Sequence, residues 1–258
     1  MQIDAQDPPQ APIALVTGGA IRVGAAIVRS LAKAGYRVWI HYNRSQAAAS
    51  ALQCSLGKSA VGIVAADLSL KNARQGLVAK ILDPAGPAAG HLDLLVNSAA
   101  SFESGPFLQR SDEDLLRVLN LNLVAPLSLA RSLAPMLASR GGSIINILDL
   151  AASQSWRGYT DHCIAKAGLA MATQSLALEL APELRVNGIA PGTVLWPEER
   201  RFSNDGARAK IVAGIPLGRI GGADDVARAV LYLAREPFIT GHTIVIDGGR
   251  KVGRGSTP

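Results

Sequence analysis

A four-residue apolar run, Ile13–Val16, stops at Thr17-Gly18-Gly19, and the chain resumes as "IRVGAAIVRSLAKAG". There the apolar positions recur at helical spacing up to a closing glycine. This unit constrains the fold more than any other feature, because its outline repeats. "YRVWIHY", "AVGIVAADL", "LDLLVNSAA", "GSIINILDL", "LRVNGIAPG" and "HTIVIDGG" are short and rich in β-branched residues. Between them lie helical patterns: "SQAAASALQCSLG", "NARQGLVAKIL", one long run "DEDLLRVLNLNLVAPLSLARSLAPML", a helix from about 161 to 180, and "ADDVARAVLYLA". Strands alternating with helices predict an α/β domain with a parallel sheet wound on both faces. A composition 48% hydrophobic and 18% charged suits a sheet covered on both sides. One domain is expected over 12–250, with flexible ends at 1–11 and 251–258 and a surface loop at "DPAGPAAGH".

The remaining composition excludes more than it assigns. Two cysteines, Cys54 and Cys163, cannot form a disulfide framework. The N-terminal dozen residues lack the basic and apolar regions of a signal peptide. No apolar run approaches the roughly 18 residues of a spanning helix, so the expectation is a cytoplasmic protein without a membrane partner. The net charge of +6 comes from scattered lysines and arginines, and only 4% of residues are aromatic. That is a poor nucleic-acid surface but a fair attractor of small anions.

Ligands of a doubly wound sheet bind at the carboxyl ends of its strands. At the first of these, Thr17–Gly24 ("TGGAIRVG") turns into a helix whose free N–H groups and positive dipole end suit a pyrophosphate. At the second, ordinary dinucleotide sites carry an acid for the ribose hydroxyls. Here no Asp or Glu occurs from Pro8 to Ala66, and the strand ends in "HYNRS". Arg44 and Ser45 are placed for a 2′-phosphate, and Arg22 is a second candidate for it, since guanidinium binds phosphate through a planar fork. The sequence therefore predicts NADP(H); solvated arginines are the plain alternative.

With these motifs in view, the chain resembles the short-chain dehydrogenase/reductase family over nearly its full length, in "TGGAIRVG", "NSAA", "RVNGIAPG" and "FITGHTIVIDGG". Within it, the chain is most similar to the pteridine reductases and the FolM-type dihydromonapterin (alternative dihydrofolate) reductases. Arg22 inside the glycine loop, "HYNRS", "NSAASF" and an aspartate, Asp149, where most of the family has its catalytic serine carry that similarity. The resemblance implies a Rossmann-type fold, NADP(H), a pterin or folate substrate and a homotetramer. It assigns the cofactor to Gly18, Arg22, Val23, Gly24, Tyr42, Asn43, Arg44, Ser45, Asp67, Leu68, Asn97, Ala99, Lys166, Pro191 and Gly192. It assigns the substrate to Phe102, Tyr159, Leu195 and Trp196, and catalysis to Asp149, His162, Lys166 and Asn122. Asn122 matches an asparagine that helps hold a relay water, and Lys166 a lysine that binds the nicotinamide ribose. Three positions depart from the pattern: Ser98, Ala100 and, above all, His162 in place of the catalytic tyrosine.

A carbonyl reductase of this family needs a phenol to protonate an alkoxide, so His162 disfavours general ketone reduction. A C=N bond in a pterin needs a proton on nitrogen, which an aspartic acid in a partly dry pocket or a water can supply. Asp149 is thus a candidate donor, or only a turn or N-cap residue. His162 is a donor, an orienter of water, or a filler of a tyrosine-sized space. Lys166, four residues on along the same helix face, binds ribose or snorkels. Arg200 and Arg201 are candidates for an acidic substrate tail, or ordinary loop charges. The reading is an NADPH-dependent reductase of a dihydropterin or dihydrofolate. Its rivals are a reductase of another small carbonyl or imine compound and a catalytically silent NADPH-binding protein.

Overall fold

In the computed structural model, which describes residues 11–196 and 204–253, seven parallel strands form one sheet in the order β3-β2-β1-β4-β5-β6-β7. The elements run β1 (Ile13–Val16), α1 (Arg22–Lys33), β2 (Arg37–Tyr42), α2 (Gln46–Leu56), β3 (Ala60–Ala65), α3 (Lys71–Ile81) and β4 (Leu94–Asn97). They continue with α4 (Asp112–Leu119), α5 (Ala125–Ala138), β5 (Ser143–Ile147), α6 (Thr160–Glu179), β6 (Arg185–Pro191), α7 (Asp205–Ala213), α8 (Ala223–Arg235), β7 (Thr243–Ile246) and α9 (Arg250–Gly253). Strand order reverses between β1 and β4, so the crevice at their carboxyl ends is the switch point where ligands of such sheets bind.

The two-residue period of the strands divides the core into two layers. Ala14 and Val16 of β1 join Val38 and Ile40 of β2 against Ile27 and Leu31 of α1. Ile13 and Leu15 face the other way, with Trp39, Leu77 of α3 and Leu129, Leu133 and Leu137 of α5. Those three α5 leucines are buried to within 1% and recur every four residues on one stripe. At about 1.5–3 kcal/mol each, they contribute roughly 5–9 kcal/mol toward clamping α5 to the sheet.

The structure corrects two expectations from the sequence. The long helix of 112–138 is interrupted at Asn120–Val124 by a π-helical turn. Pro126 has no N–H to donate to the carbonyl four residues earlier, that of Asn122, and the ladder widens there. The same 27-residue stretch, Asp112–Ala138, is long and apolar enough to cross a membrane by length and composition, although no uninterrupted apolar run announces it. In this fold its apolar stripe lies in the core. Finally, α7 is a helix that the sequence pattern does not announce, and α9 extends order to Gly253, into the expected tail. Asn204 caps α7 by accepting from Gly206 N–H at 2.7 Å.

Candidate active site

A cleft of about 570 Å³ opens along the carboxyl ends of β1–β4. It is lined by the expected Gly18, Arg22, Val23, Gly24, Tyr42, Asn43, Arg44, Ser45, Asp67, Leu68 and Ala99, joined by His41, Ser98, Ala100 and Ser101. The turn of the glycine loop is tight for stated reasons. Gly18 has φ +63°, and a Cβ on it would stand 2.9 Å from the Ala99 Cα. A Cβ on Gly24 would strike the Gly18 carbonyl oxygen. Thr17 Oγ1 accepts from Ser98 N–H at 2.9 Å and Ala99 N–H at 3.0 Å, tying the loop after β4 to the end of β1. The loop thus lies flat between two strand ends, open to a phosphate from the cleft side.

Arg22 has φ +52°, a left-handed conformation that an L side chain adopts at a cost of about 1–2 kcal/mol. Strain of this kind persists at ligand clamps. Its guanidinium donates to the Trp196 carbonyl at 3.1 Å, so in this structure it spans from the glycine loop to the segment after β6. Trp196 also lies beneath the Arg208 guanidinium, 5.2 Å from the ring centroid, on that same rim. Asp67 is held below its ordinary pKa by the Ser69 hydroxyl, at 2.6 Å, with Arg44 adding a smaller attraction. It stays anionic.

Other expected cofactor residues lie outside this lining. Asn97 is buried and donates to Asn146 Oδ1 at 2.8 Å, and Asn146 in turn donates to Thr173 at 2.9 Å. This chain of amides braces β4, β5 and α6. Pro191 ends β6, and Gly192 N–H donates across to the Ile246 carbonyl of β7 at 2.8 Å. A Cβ on Gly192 would approach Asp247 Cβ to 2.8 Å, so the close approach there needs glycine. Leu195 follows on the same segment, half-buried. Arg200 and Arg201 lie outside the described residues.

Beyond the glycine loop, β5 and α6 bring the catalytic candidates together. Lys166 is buried, and its Nζ donates to the Ile147 carbonyl at 2.8 Å. Burial lowers its pKa to about 8, against the attraction of Asp149, which raises it. An ammonium has three hydrogens; one is used on Ile147, and ribose hydroxyls suit the others. Lys166 does not snorkel.

His162 is the informative residue. Its Nδ1 lies 3.2 Å from the Ser101 carbonyl, and its Nε2 lies 3.5 Å from Asp149 Oδ2. A carbonyl only accepts, so Nδ1 carries hydrogen. The other nitrogen, buried and without a hydrogen bond, faces a carboxylate oxygen. The Asp149 side chain is 24% exposed and that of His162 is 3% exposed, so of the two Asp149 is the one open to a substrate. Asp149 Oδ1 also accepts from Ala151 N–H at 3.1 Å, so the residue caps the short turn after β5 while facing His162.

Asn122, the expected water holder, is fully buried and bonded to Ser101. Its Oδ1 accepts from Ser101 N–H at 3.0 Å, while Nδ2 donates to the Ser101 carbonyl at 3.1 Å. The amide thereby clamps the peptide that fixes the His162 tautomer. Next to that peptide, the Phe102 ring stacks on Tyr159 at 4.4 Å and meets His162 and Trp156 edge-on at 5.0 and 6.3 Å. Arg110 grips the buried Asp161 carboxylate through Nε and Nη2 at 2.8 and 2.7 Å, fixing the first turn of α6 beside His162. Sequence reasoning missed His41, Ser101, Trp156 and this Arg110–Asp161 pair. Only His41 carried a signal: a histidine inside an otherwise apolar strand run.

The cradle against Ala99, the loop flanked by arginines and the buried ammonium of Lys166 fit a nicotinamide dinucleotide. Comparison with known proteins agrees. A family model described as enoyl-(acyl carrier protein) reductase matches residues 19–251. The chain is 36% identical over 243 residues to an uncharacterised oxidoreductase of Mycobacterium tuberculosis (strain CDC 1551 / Oshkosh), covering 92% of this chain and 91% of that protein. It is 35% identical to pteridine reductase 1 of Leishmania tarentolae over a 289-residue alignment, covering 95% and 98%. It is 33% identical over 241 residues to a 3-oxoacyl-acyl-carrier-protein reductase of Escherichia coli (strain K12), covering 92% and 96%. Fold and site define a nicotinamide-dependent oxidoreductase. The chain belongs to the short-chain dehydrogenase/reductase family.

Proposed function

We propose that this protein uses NADPH to reduce the C=N bond of a dihydropterin or dihydrofolate to the tetrahydro form. The observation that carries the reading is the Asp149–His162 pair, a partly exposed acid group beside a histidine where the family's ketone chemistry calls for a phenol. The likeness to a pteridine reductase supports it, as does Phe102, a partly exposed aromatic ring packed edge-on against His162 that suits a flat heterocycle. The absence of any acid between Asp7 and Asp67, with Arg44 and Ser45 on the cleft wall, supports NADPH over NADH.

When bound, NADPH supplies the hydride that goes to the ring carbon. Arg44 and Ser45 would hold the 2′-phosphate, and Lys166 would hold ribose hydroxyls through the hydrogens not given to Ile147. Asp149, as the carboxylic acid, passes its proton to the adjacent ring nitrogen. It would regain a proton from solvent through its exposed edge. His162 would orient the donor, and Asn122 would keep the histidine in its tautomer by clamping the Ser101 peptide.

We assign the protein to the cytoplasm, in keeping with Cys54 and Cys163, both free thiols. A homotetramer is part of the same reading. Ile164, Met171 and Leu178 are exposed at seven-residue spacing along α6, and Leu116 and Val124 are exposed on α4 and the π turn. Light scattering on the purified chain tests the assembly. Incubation with NADPH and either 7,8-dihydrobiopterin or dihydrofolate, with chromatographic identification of the tetrahydro product, tests the reaction. NADPH consumption with a 3-oxoacyl thioester and none with either pterin would favour a carbonyl reductase instead.

A further inference from the structure

His41 lies on the cleft floor, 2% exposed, and both ring nitrogens are committed. Gly18 N–H donates to Nδ1 at 2.9 Å, and Nε2 lies 3.0 Å from the Ala66 carbonyl. Because Nδ1 accepts and a carbonyl cannot donate, the ring is the neutral tautomer with hydrogen on Nε2. The next loop residue, Gly19, donates its N–H to the His41 carbonyl at 2.8 Å. One residue therefore takes two consecutive N–H groups of the glycine loop. These are lost to a phosphate but fix the turn that aims the later N–H groups, at the start of α1, into the cleft. The same ring joins the carboxyl ends of β1, β2 and β3, the three strands whose following segments line the cofactor cleft.

We propose that His41 is a positioning residue for the dinucleotide: neutral, it struts the Gly18 turn in its receiving shape, and protonated, it releases it. A proton on Nδ1 turns the acceptor into a second donor facing Gly18 N–H, and a buried N–H without an acceptor is costly. Burial lowers the pKa of His41 and keeps it neutral at pH 7, while the Asp67 carboxylate, the charged group that bears on it, opposes the shift. The folded chain thus takes up this proton at a lower pH than the ordinary histidine value of 6.5. The proposal rests on the cleft holding a nicotinamide dinucleotide and is independent of the pterin substrate.

The test is NADP⁺ affinity of the full-length chain between pH 5 and 8 for wild type, His41→Asn and His41→Phe. Asparagine can present its amide oxygen where Nδ1 stood and does not titrate; phenylalanine fills the space without an acceptor. At pH 7.5, His41→Asn should bind within about threefold of wild type and His41→Phe at least about tenfold more weakly. Below the folded midpoint, wild-type affinity should fall relative to His41→Asn by up to about tenfold per pH unit, the limit for one linked proton. The 2′-phosphate titrates in the same window in both proteins, so their ratio isolates His41. Wild-type affinity in His41→Phe, or parallel pH profiles for wild type and His41→Asn, would overturn the proposal. If His41→Phe does not fold, the parallel-profile comparison still decides. A wild type that binds no NADP⁺ at any pH would overturn the assignment of the cleft, and this proposal with it.

Discussion

Replacing Lys166 with methionine separates the energetics of the site from its chemistry. The lysine is buried, and its folded-state pKa falls from 10.5 to about 8, chiefly through burial. Below pH 8 both the folded and unfolded chains carry the charge, and the folded chain bears the full cost of burying it. Between about pH 8 and 10.5 the folded chain has released the proton while the unfolded chain still binds it. Stability therefore rises with pH across that window. At about 1.4 kcal/mol per pH unit, the gain is about 3 kcal/mol. Lys166→Met removes this rise. At pH 7 the variant escapes the burial cost but leaves the Ile147 carbonyl without its donor, a loss of about 1–3 kcal/mol. Its net stability should therefore lie within about 2 kcal/mol of wild type. The sharper readout is the difference between the two urea-unfolding free energies measured from pH 7 to 10. It should grow in favour of wild type above pH 8. A constant difference across that range would refute the buried, depressed ammonium.

Arg44→Ala should weaken NADPH by about 1.5–3 kcal/mol, the value of a charge-assisted bond, while NADH changes little; titration with both cofactors checks this. Asp149→Asn should lower dihydropterin turnover by about 10²–10⁴ with NADPH affinity kept. His162→Ala should cost less, and an equal or larger loss in steady-state assays would make the histidine the donor. Arg22→Gly should relieve the left-handed strain and stabilise the fold by about 0.5–1 kcal/mol in thermal unfolding, after the entropic cost of glycine, while weakening cofactor binding.

The alternation of strand and helix was legible because β1, β2, β4, β5 and β6 are buried on both faces, which leaves apolar runs with few interruptions. Gly18 and the Arg44–Ser45 pair were legible because a tight turn and a missing acid are properties of local sequence. The π turn was less so: Pro126 was visible, but helix periodicity runs smoothly through it. Asn122 was recognised as a site residue while its bonds to Ser101 were not, since these join positions 21 residues apart. His162 shows the same limit. Its substitution is plain in the sequence, but its tautomer depends on a carbonyl 61 residues away, and its other nitrogen faces an aspartate at the end of another element. Asn97 is expected at the cofactor, and its side chain donates into a buried amide network that no local sequence pattern announces.

The central claim is that the Asp149–His162 site protonates nitrogen in a C=N bond rather than an alkoxide. Its most direct test is the ratio of kcat/KM for 7,8-dihydrobiopterin to that for a 3-oxoacyl thioester, with saturating NADPH, in wild type and in Asp149→Asn. The account predicts a ratio well above one that collapses by about 10²–10⁴ in the variant. A ratio below one, or one that Asp149→Asn leaves unchanged, would contradict it.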